Sequence, residues 1–279
     1  MSLTSMTRST NTSEETRELR DFTQSIAIVV SSCDAFFDAW RPFAFFFNKF
    51  WPDCPLPVFL ITNELKIESR LLRPLAVGRD RGWSDNLAIA LGQITADYVV
   101  YFQEDYFLTA PVQTAQLAQD ISTAIAREAD ALCFRARSVR EADFAPVNDR
   151  FGSVPLASDG RTRCQVTLWN RRAFASILRP GEDAWEMERD GSPRTRDLQI
   201  LSYSRRENTP IPYLMSAIVR GLWTAEALAL MKHEGVAVSP HFRSTYSNNS
   251  LLRGARRRLT RQRSARSIAA QKSSPIILD

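Results

Sequence analysis

Glycine is scarce in this sequence, ten residues in 279, and none of them builds a G-x-G-x-x-G, a Walker-type phosphate loop or a G-x-S-x-G. Dinucleotide-fold, P-loop and hydrolase-elbow readings lose their main support, because each needs glycine where phosphate or substrate approaches the main chain. Cysteine is equally sparse. Cys33, Cys54, Cys133 and Cys164 form no C-x-x-C pair, which excludes a zinc knuckle and a disulfide framework and leaves reduced, mostly buried thiols as the expectation. Of the two histidines, His233 and His241, neither has a metal-ligand partner at helical spacing, and both read as structural. The longest apolar runs, Ile26 to Val30 and Phe43 to Phe47, fall far short of the roughly 20 residues of a membrane-spanning helix. The opening MSLTSMTRSTNTSEETRELRD lacks the apolar core of a secretory signal, so cytoplasmic residence is expected.

What is present is ordinary globular material. With 44% hydrophobic and 24% charged residues, disorder throughout is excluded, and the length suits one sizeable core or two small ones. The net charge of +5 is unevenly placed. Residues 251–279 hold eight bases against one acid, Asp279, a net of +7, so everything before them carries −2. The body is mildly acidic and the basicity is a tail. Residues 1–24 are polar and without period, and residues 251–279 are rich in Arg, Ser and Ala, so both ends are expected to fray around a folded body at 25–250.

That body opens on SIAIVVSS, a β-branched apolar run of the kind buried on both faces of a sheet. Phe36, Trp40, Phe43, Phe47 and Phe50 then recur at alternating steps of four and three, a helical core stripe in which Pro42 is expected to cause a kink or a restart. PVFLIT is a second buried strand, WSDNLAIALGQI a helix and DYVVYF a third strand that stops at Gln103-Glu104-Asp105. Strand, helix, strand, helix, strand implies βαβ units and a mainly parallel sheet. Beyond Pro111 the pattern loosens to a helix near 112–128, a strand near 131–136 and a strand near 163–169, an α+β half.

In open α/β sheets ligands bind at the carboxyl ends of the strands. Ser31, Ser32, Cys33 and Asp34 follow the first strand, Thr62, Asn63 and Glu64 the second, and Gln103, Glu104 and Asp105 the third. Adjacent carboxylates there repel unless a cation joins them, and Mg²⁺ or Mn²⁺ bridging a diphosphate would relieve that repulsion; the plainer alternative is a solvated loop. A second acidic cluster, GEDAWEME, follows Arg179-Pro180. Acids in a first turn complement the helix dipole, which accounts for Glu182 and Asp183, but Glu186 and Glu188 continue deeper, and Glu182, Trp185, Glu186 and Arg189 share a face. A carboxylate beside an indole suits a general base next to a sugar-stacking platform. Arg161, Arg163, Arg194 and Arg196 flank these segments as surface arginines or phosphate ligands.

Several pieces together carry a resemblance. The run SCDAFFDAWRPFAFFFNKFWPDCPLPVFLITN (32–63), then GWSDNLAIALGQITADYVVYFQEDYFL (82–108), TLWNRRAF from Thr167, EDAWEME from Glu182 and the SPR turn at Ser192 resemble bacterial GT-A glycosyltransferases of capsule, O-antigen and lipopolysaccharide gene clusters. The resemblance spans residues 25–240 and implies an α/β, GT-A-like (Rossmann-like) single domain with a mainly parallel central sheet flanked by helices. It implies a nucleotide-sugar donor with Ser32, Asp34 and Asn63 near the nucleoside, Ser84 and Asp85 near the donor, and Gln103, Glu104 and Asp105 at the family's acidic strand-end motif. That motif usually reads D-x-D and holds a divalent cation, Mn²⁺ or Mg²⁺. Here it reads QED, which leaves Glu104 and Asp105 as the metal candidates and puts metal dependence in question. Glu182-Asp183 resembles the base motif of inverting GT-A enzymes, with Asp183 favoured and Glu186 and Glu188 as competitors. Trp185 and Arg163 are the candidate acceptor contacts.

The expected function is transfer of a sugar from a nucleotide-sugar donor to a hydroxyl of a surface-polysaccharide or lipid-linked glycan acceptor, by inversion. The Arg-rich tail, with Leu251, Leu252, Ala255 and Leu259 at helical steps, fits either a disordered solubilising segment or a surface helix attracted to an anionic membrane. Two rival readings belong to other classes. One is a non-catalytic nucleotide- or sugar-binding module on a degenerate GT-A fold. The other is a nucleic-acid binder working through the tail, which the acidic body disfavours.

Overall fold

The computed structural model describes residues 25–136, 145–204, 209–238 and 242–279. The frayed N-terminus expected at 1–24 and the structural role expected of His241 lie outside them. The first strand, β1 (Ile26–Ser31), is buried along its whole length and pairs in parallel with β2 (Val58–Thr62) on one side. A short β3 (Ile67–Glu68) leads to β4 (Leu72–Ala76), which closes that edge against β2. On its other side β1 pairs in parallel with β5 (Tyr98–Gln103). The sheet continues through β6 (Ala131–Cys133), β7 (Ala145–Pro146), β8 (Phe151–Ser153), β9 (Thr167–Asn170) and β10 (Ile200–Tyr203), giving the order β4-β2-β1-β5-β9-β6-β10-β8-β7. Within it only β8 and β9 run against the common direction. The protein is a mixed α/β domain on a mostly parallel central sheet.

Helices cover both faces, which is why β1 reads as continuously apolar. Ile26, Ile28 and Val30 pack on α1 (Phe37–Phe50), where Trp40, Phe43, Phe46 and Phe47 are buried and Phe36 and Phe50 close the margin. The aromatic stripe is core, with Phe47 stacked on Trp51 and set edge-on to Phe102. Ala27 and Val29 face the other way, onto α2 (Trp83–Gln93), with Leu87, Ala90 and Leu91. The remaining helices are α3 (Thr114–Ala126), α4 (Arg171–Ile177), α5 (Ala184–Asp190), α6 (Ala225–His233) and α7 (Ser250–Gln271). A hairpin of β11 (Ile218–Val219) and β12 (Leu222–Trp223) precedes α6.

Three features depart from the sequence expectations. Pro42 neither restarts nor ends its helix: α1 runs from Phe37 to Phe50 through it. Strands β4 and β10 escape the apolar pattern because β4 is an edge strand carrying Pro74 and two exposed residues, and β10 is only four residues long. The basic tail is not frayed. α7 turns Thr260 and Ser264 onto the body, where Ser264 Oγ donates to the Ala35 carbonyl, and β13 (Ile276–Ile277) then pairs in parallel with β3. Leu278 is buried behind it. All four cysteines are free thiols, Cys133 and Cys164 buried. No helix among the described residues is long and apolar enough to cross a membrane.

Candidate active site

The chain leaves β1 toward β2 on one side and returns to pair β5 on the other, so the crevice at the carboxyl ends of β1 and β5 is where an open sheet of this kind accepts ligands. Ser31 lies opposite Gln103 there, and the Glu104 amide donates to the Ser31 carbonyl at 3.3 Å. The three polar strand ends do converge. Asp34 accepts from the amides of Asn63, Glu64 and Leu65 at 2.8 to 2.9 Å, and Asn63 Oδ1 accepts from the Asp34 amide at 2.9 Å. This lock engages the oxygens of both side chains in the scaffold. Ser32 Oγ accepts from the Trp40 indole at 2.7 Å. Asn63 Nδ2 and Thr62 Oγ1 are left over, buried and without a partner among the described residues.

Gln103, Glu104 and Asp105 line a cleft of about 400 Å³. Asp105 Oδ2 accepts from Ser216 Oγ at 3.0 Å and from the Ile218 amide at 2.9 Å, while Oδ1 is buried with no partner among the described residues. Burial pushes the Asp105 carboxyl up to about 6, against the opposing pull of those two hydrogen bonds. Glu104 is raised well above the usual carboxylate range, by burial first and then by the adjacent Asp105 charge. Two neighbouring carboxylates that resist ionisation, one with an orphaned oxygen, form a hard-oxygen donor set suited to Mg²⁺ or Mn²⁺. No cluster of three or more His, Cys, Asp or Glu side chains suited to a metal occurs among the described residues, so a cation here needs further oxygens from a ligand such as a diphosphate.

The opposite wall is α5. Its residues Ala184, Trp185 and Glu188 line the cleft, and Trp185 is 65% exposed. The four candidate bases separate. Glu182 is engaged by Arg194 through both oxygens, at 2.7 and 3.0 Å, with the side chains only 10% and 11% exposed. Glu186 closes a capping box with Asp183, each side chain accepting the other's amide. Glu182 thus has both oxygens in an ion pair, whereas the capping box takes one oxygen from each of its partners, Glu186 Oε2 and Asp183 Oδ1, and leaves Glu186 Oε1 outside it. Asp183 keeps Oδ2 outside the box and immediately precedes the cleft-lining Ala184, while Glu188 accepts from the Cys164 amide at 2.8 Å on the wall itself.

Ser84 and Asp85 do not line this cleft. Ser84 Oγ donates to the Arg179 carbonyl at 2.6 Å and Asp85 accepts from the Gly181 amide at 2.6 Å, so both tie α2 to the turn that starts the acidic segment. Among the arginines, Arg163 lines the cleft, but Arg161 is 1% exposed and clamps the carbonyls of Val154, Pro155, Thr195 and Leu198. Arg194 belongs to Glu182, and Arg196 lies on a different surface, beside Leu156 and Asp197.

Sequence reasoning missed the third wall, formed by Met215, Ser216, Ile218 and Arg220. It also missed Arg243, which is 3% exposed, binds both oxygens of Asp38 at 2.7 and 2.8 Å and donates to the carbonyls of Ala35 and Gly221. No motif marks these positions; Arg243 in the PHFRSTY stretch is the only trace.

No family model matches the chain, and no curated protein matches it. Among solved structures, S. aureus TarS 1–349 aligns with a TM-score of 0.47 and 13% identity over 68% of this chain and 59% of that one. TarS 1–349 in complex with UDP-GlcNAc gives 0.44 and 10% over 90% and 74%. Apo UDP-glucose pyrophosphorylase gives 0.44 and 7% over 68% and 91%. The chain thus spans about 59% of the TarS fragment first named.

Proposed function

We propose that this protein is a glycosyltransferase that moves a sugar from a nucleotide diphosphate donor to a hydroxyl of a surface-polysaccharide or lipid-linked glycan, with inversion. The observation that carries the reading is Asp105: a buried carboxylate beside Glu104 that lines the cleft at the β1/β5 crevice and has one buried oxygen without a partner among the described residues. Glu104 and Asp105 would hold a divalent cation, which neutralises charge on the departing diphosphate. Asn63, whose Nδ2 is a buried donor without a partner among the described residues, would lie on the nucleoside side. Trp185 offers its exposed ring as a platform for the acceptor sugar. The acceptor oxygen attacks the anomeric carbon as Asp183 Oδ2 takes its proton and the bond from that carbon to the diphosphate oxygen breaks. Glu188, anchored on Cys164, shapes the wall.

A second reading, a binding module without turnover, is favoured by one observation: the acidic motif is QED, and it supplies two carboxylates rather than a three-ligand set. A melting-temperature screen of the full chain against UDP, GDP, CMP and TDP, with and without Mn²⁺, followed by turnover of the corresponding sugars, separates the two. Stabilisation by one nucleotide, enhanced by Mn²⁺ only when Asp105 is intact, and release of that nucleotide in the presence of acceptor support the enzyme. Stabilisation without release supports the module. Asp183→Ser keeps a capping oxygen, so a loss of turnover with an unchanged melting temperature assigns the base.

A further inference from the structure

Beside the cleft lies a second cavity of about 410 Å³, sharing Phe36, Arg220 and Gly221 with it. Its far side is α7. Thr260 and Ser264, one turn apart and buried, let that helix approach the Ala35–Phe36 turn closely, and this sets Arg257 and Arg261 along the cavity. Arg243 forms the floor, but its guanidinium is fully engaged by Asp38 and two carbonyls and lies over the Phe36 ring at 4.7 Å. Of the arginines that line this cavity, Arg220, Arg257 and Arg261 have no carboxylate partner among the described residues.

Two features of these arginines run against local preference. Arg257 and Arg261 stand at i, i+4 in a helix with seven arginines and no acid over 250–271, a spacing at which like charges destabilise. Arg220 occupies the first turn position of the β11–β12 hairpin at φ 52, where a side chain other than Gly or Asn is strained, and Gly221 follows at φ 77. A two-residue turn that needs Asn-Gly and carries Arg-Gly instead projects a cation at the junction of both cavities. Local rules broken around one pocket whose free arginines meet no carboxylate among the described residues mark a function rather than a packing need.

We infer that this cavity is an anion subsite in which Arg220, Arg257 and Arg261 bind a phosphate or diphosphate group next to the carboxylate pair, and that α7 is therefore part of the binding site and not an appendage. Guanidinium groups grip phosphate oxygens in charge-assisted pairs, and three around one cavity suit a dianion. The group belongs either to the nucleotide or to a phosphate-bearing acceptor. The inference rests on the proposed function only for the ligand's being a substrate.

The test is titration of the full chain with inorganic pyrophosphate, without divalent metal, in wild type, R257Q/R261Q and R263Q/R266Q. The last pair removes the same charge from the same helix outside the cavity. We expect R257Q/R261Q to weaken pyrophosphate binding by about tenfold or more at an unchanged melting temperature, with R263Q/R266Q close to wild type. R257K/R261K, which keeps the charge, recovers part of the loss. No binding in wild type, or equal loss in both double variants, would overturn the inference. Competition by UDP assigns the group to the donor, and competition by a soluble short-chain phosphatidic acid assigns it to the acceptor. Failure of the carboxylate site is read separately, as loss of the Mn²⁺-dependent stabilisation in D105N, and failure of this one as wild-type pyrophosphate binding in R257Q/R261Q without metal, so the two are distinguishable.

Discussion

Asp34 and Asn63 hydrogen-bond each other in both directions, the Asn63 amide to Asp34 Oδ1 at 2.8 Å and the Asp34 amide to Asn63 Oδ1 at 2.9 Å, across a separation of 29 residues. This pair joins the ends of β1 and β2 and so fixes one side of the crevice. Asp34→Ala orphans the amides of Asn63, Glu64 and Leu65 together, and a loss of about 3 kcal/mol is expected. The check is the urea midpoint at constant m-value; an unchanged midpoint would contradict the scaffold role.

The carboxylate pair gives a pH signature of defined sign. Because Asp105 is raised to about 6 by burial, the folded chain keeps a proton between about pH 4 and 6 that the unfolded chain has released. This group therefore makes stability fall as pH rises through that window, and Glu104 acts in the same direction. Asp105→Asn flattens the slope, measured as melting temperature from pH 4 to 7. Cation binding has the opposite sign, since it requires the ionised pair: stabilisation by Mn²⁺ should grow as pH rises through about 6 and vanish with EDTA.

Glu182 and Arg194 form a bidentate pair with little solvent access. Glu182→Gln leaves the guanidinium uncompensated and should cost about 3 kcal/mol in stability, while turnover per folded molecule stays near wild type. Loss of turnover with intact stability would return Glu182 to the catalytic group.

The outer face of α7 carries Leu251 at 83%, Leu252 at 50% and Leu259 at 40% exposure among arginines. Such a face suits the surface of an anionic bilayer, each arginine near it contributing about 1 kcal/mol at low salt. Replacing all three leucines with serine should reduce cosedimentation with phosphatidylserine vesicles several-fold and leave zwitterionic vesicles unaffected. Truncation at residue 251 is the wrong probe, because Thr260, Ser264 and β13 are docked on the body and their loss would unfold the contact as well.

Much of the first half was legible without coordinates. A β-branched run buried on both faces cannot be much else than a central strand, and the 3-4 spacing of Trp40, Phe43 and Phe47 dictates one buried helical face. From those periods came the parallel core and the three polar strand ends at one edge. The acidic helix was legible as a cluster but not as chemistry. Which of Glu182, Asp183, Glu186 and Glu188 keeps a free oxygen depends on Arg194, on the capping geometry and on the Cys164 amide, contacts that composition does not encode.

The amino-acid order by itself determined the strand-helix alternation, the aromatic core stripe and the placing of Glu104 and Asp105 behind a buried strand, because these depend on local period and side-chain type. Only the tertiary structure decided that Asp34 and Asn63 hold each other, that Arg243 clamps three segments, and that a basic tail of unreadable role folds back beside the crevice. Those outcomes rest on pairs of groups separated by some 30 to 230 residues, and burial and hydrogen-bond satisfaction select such partners only once the chain has closed on itself.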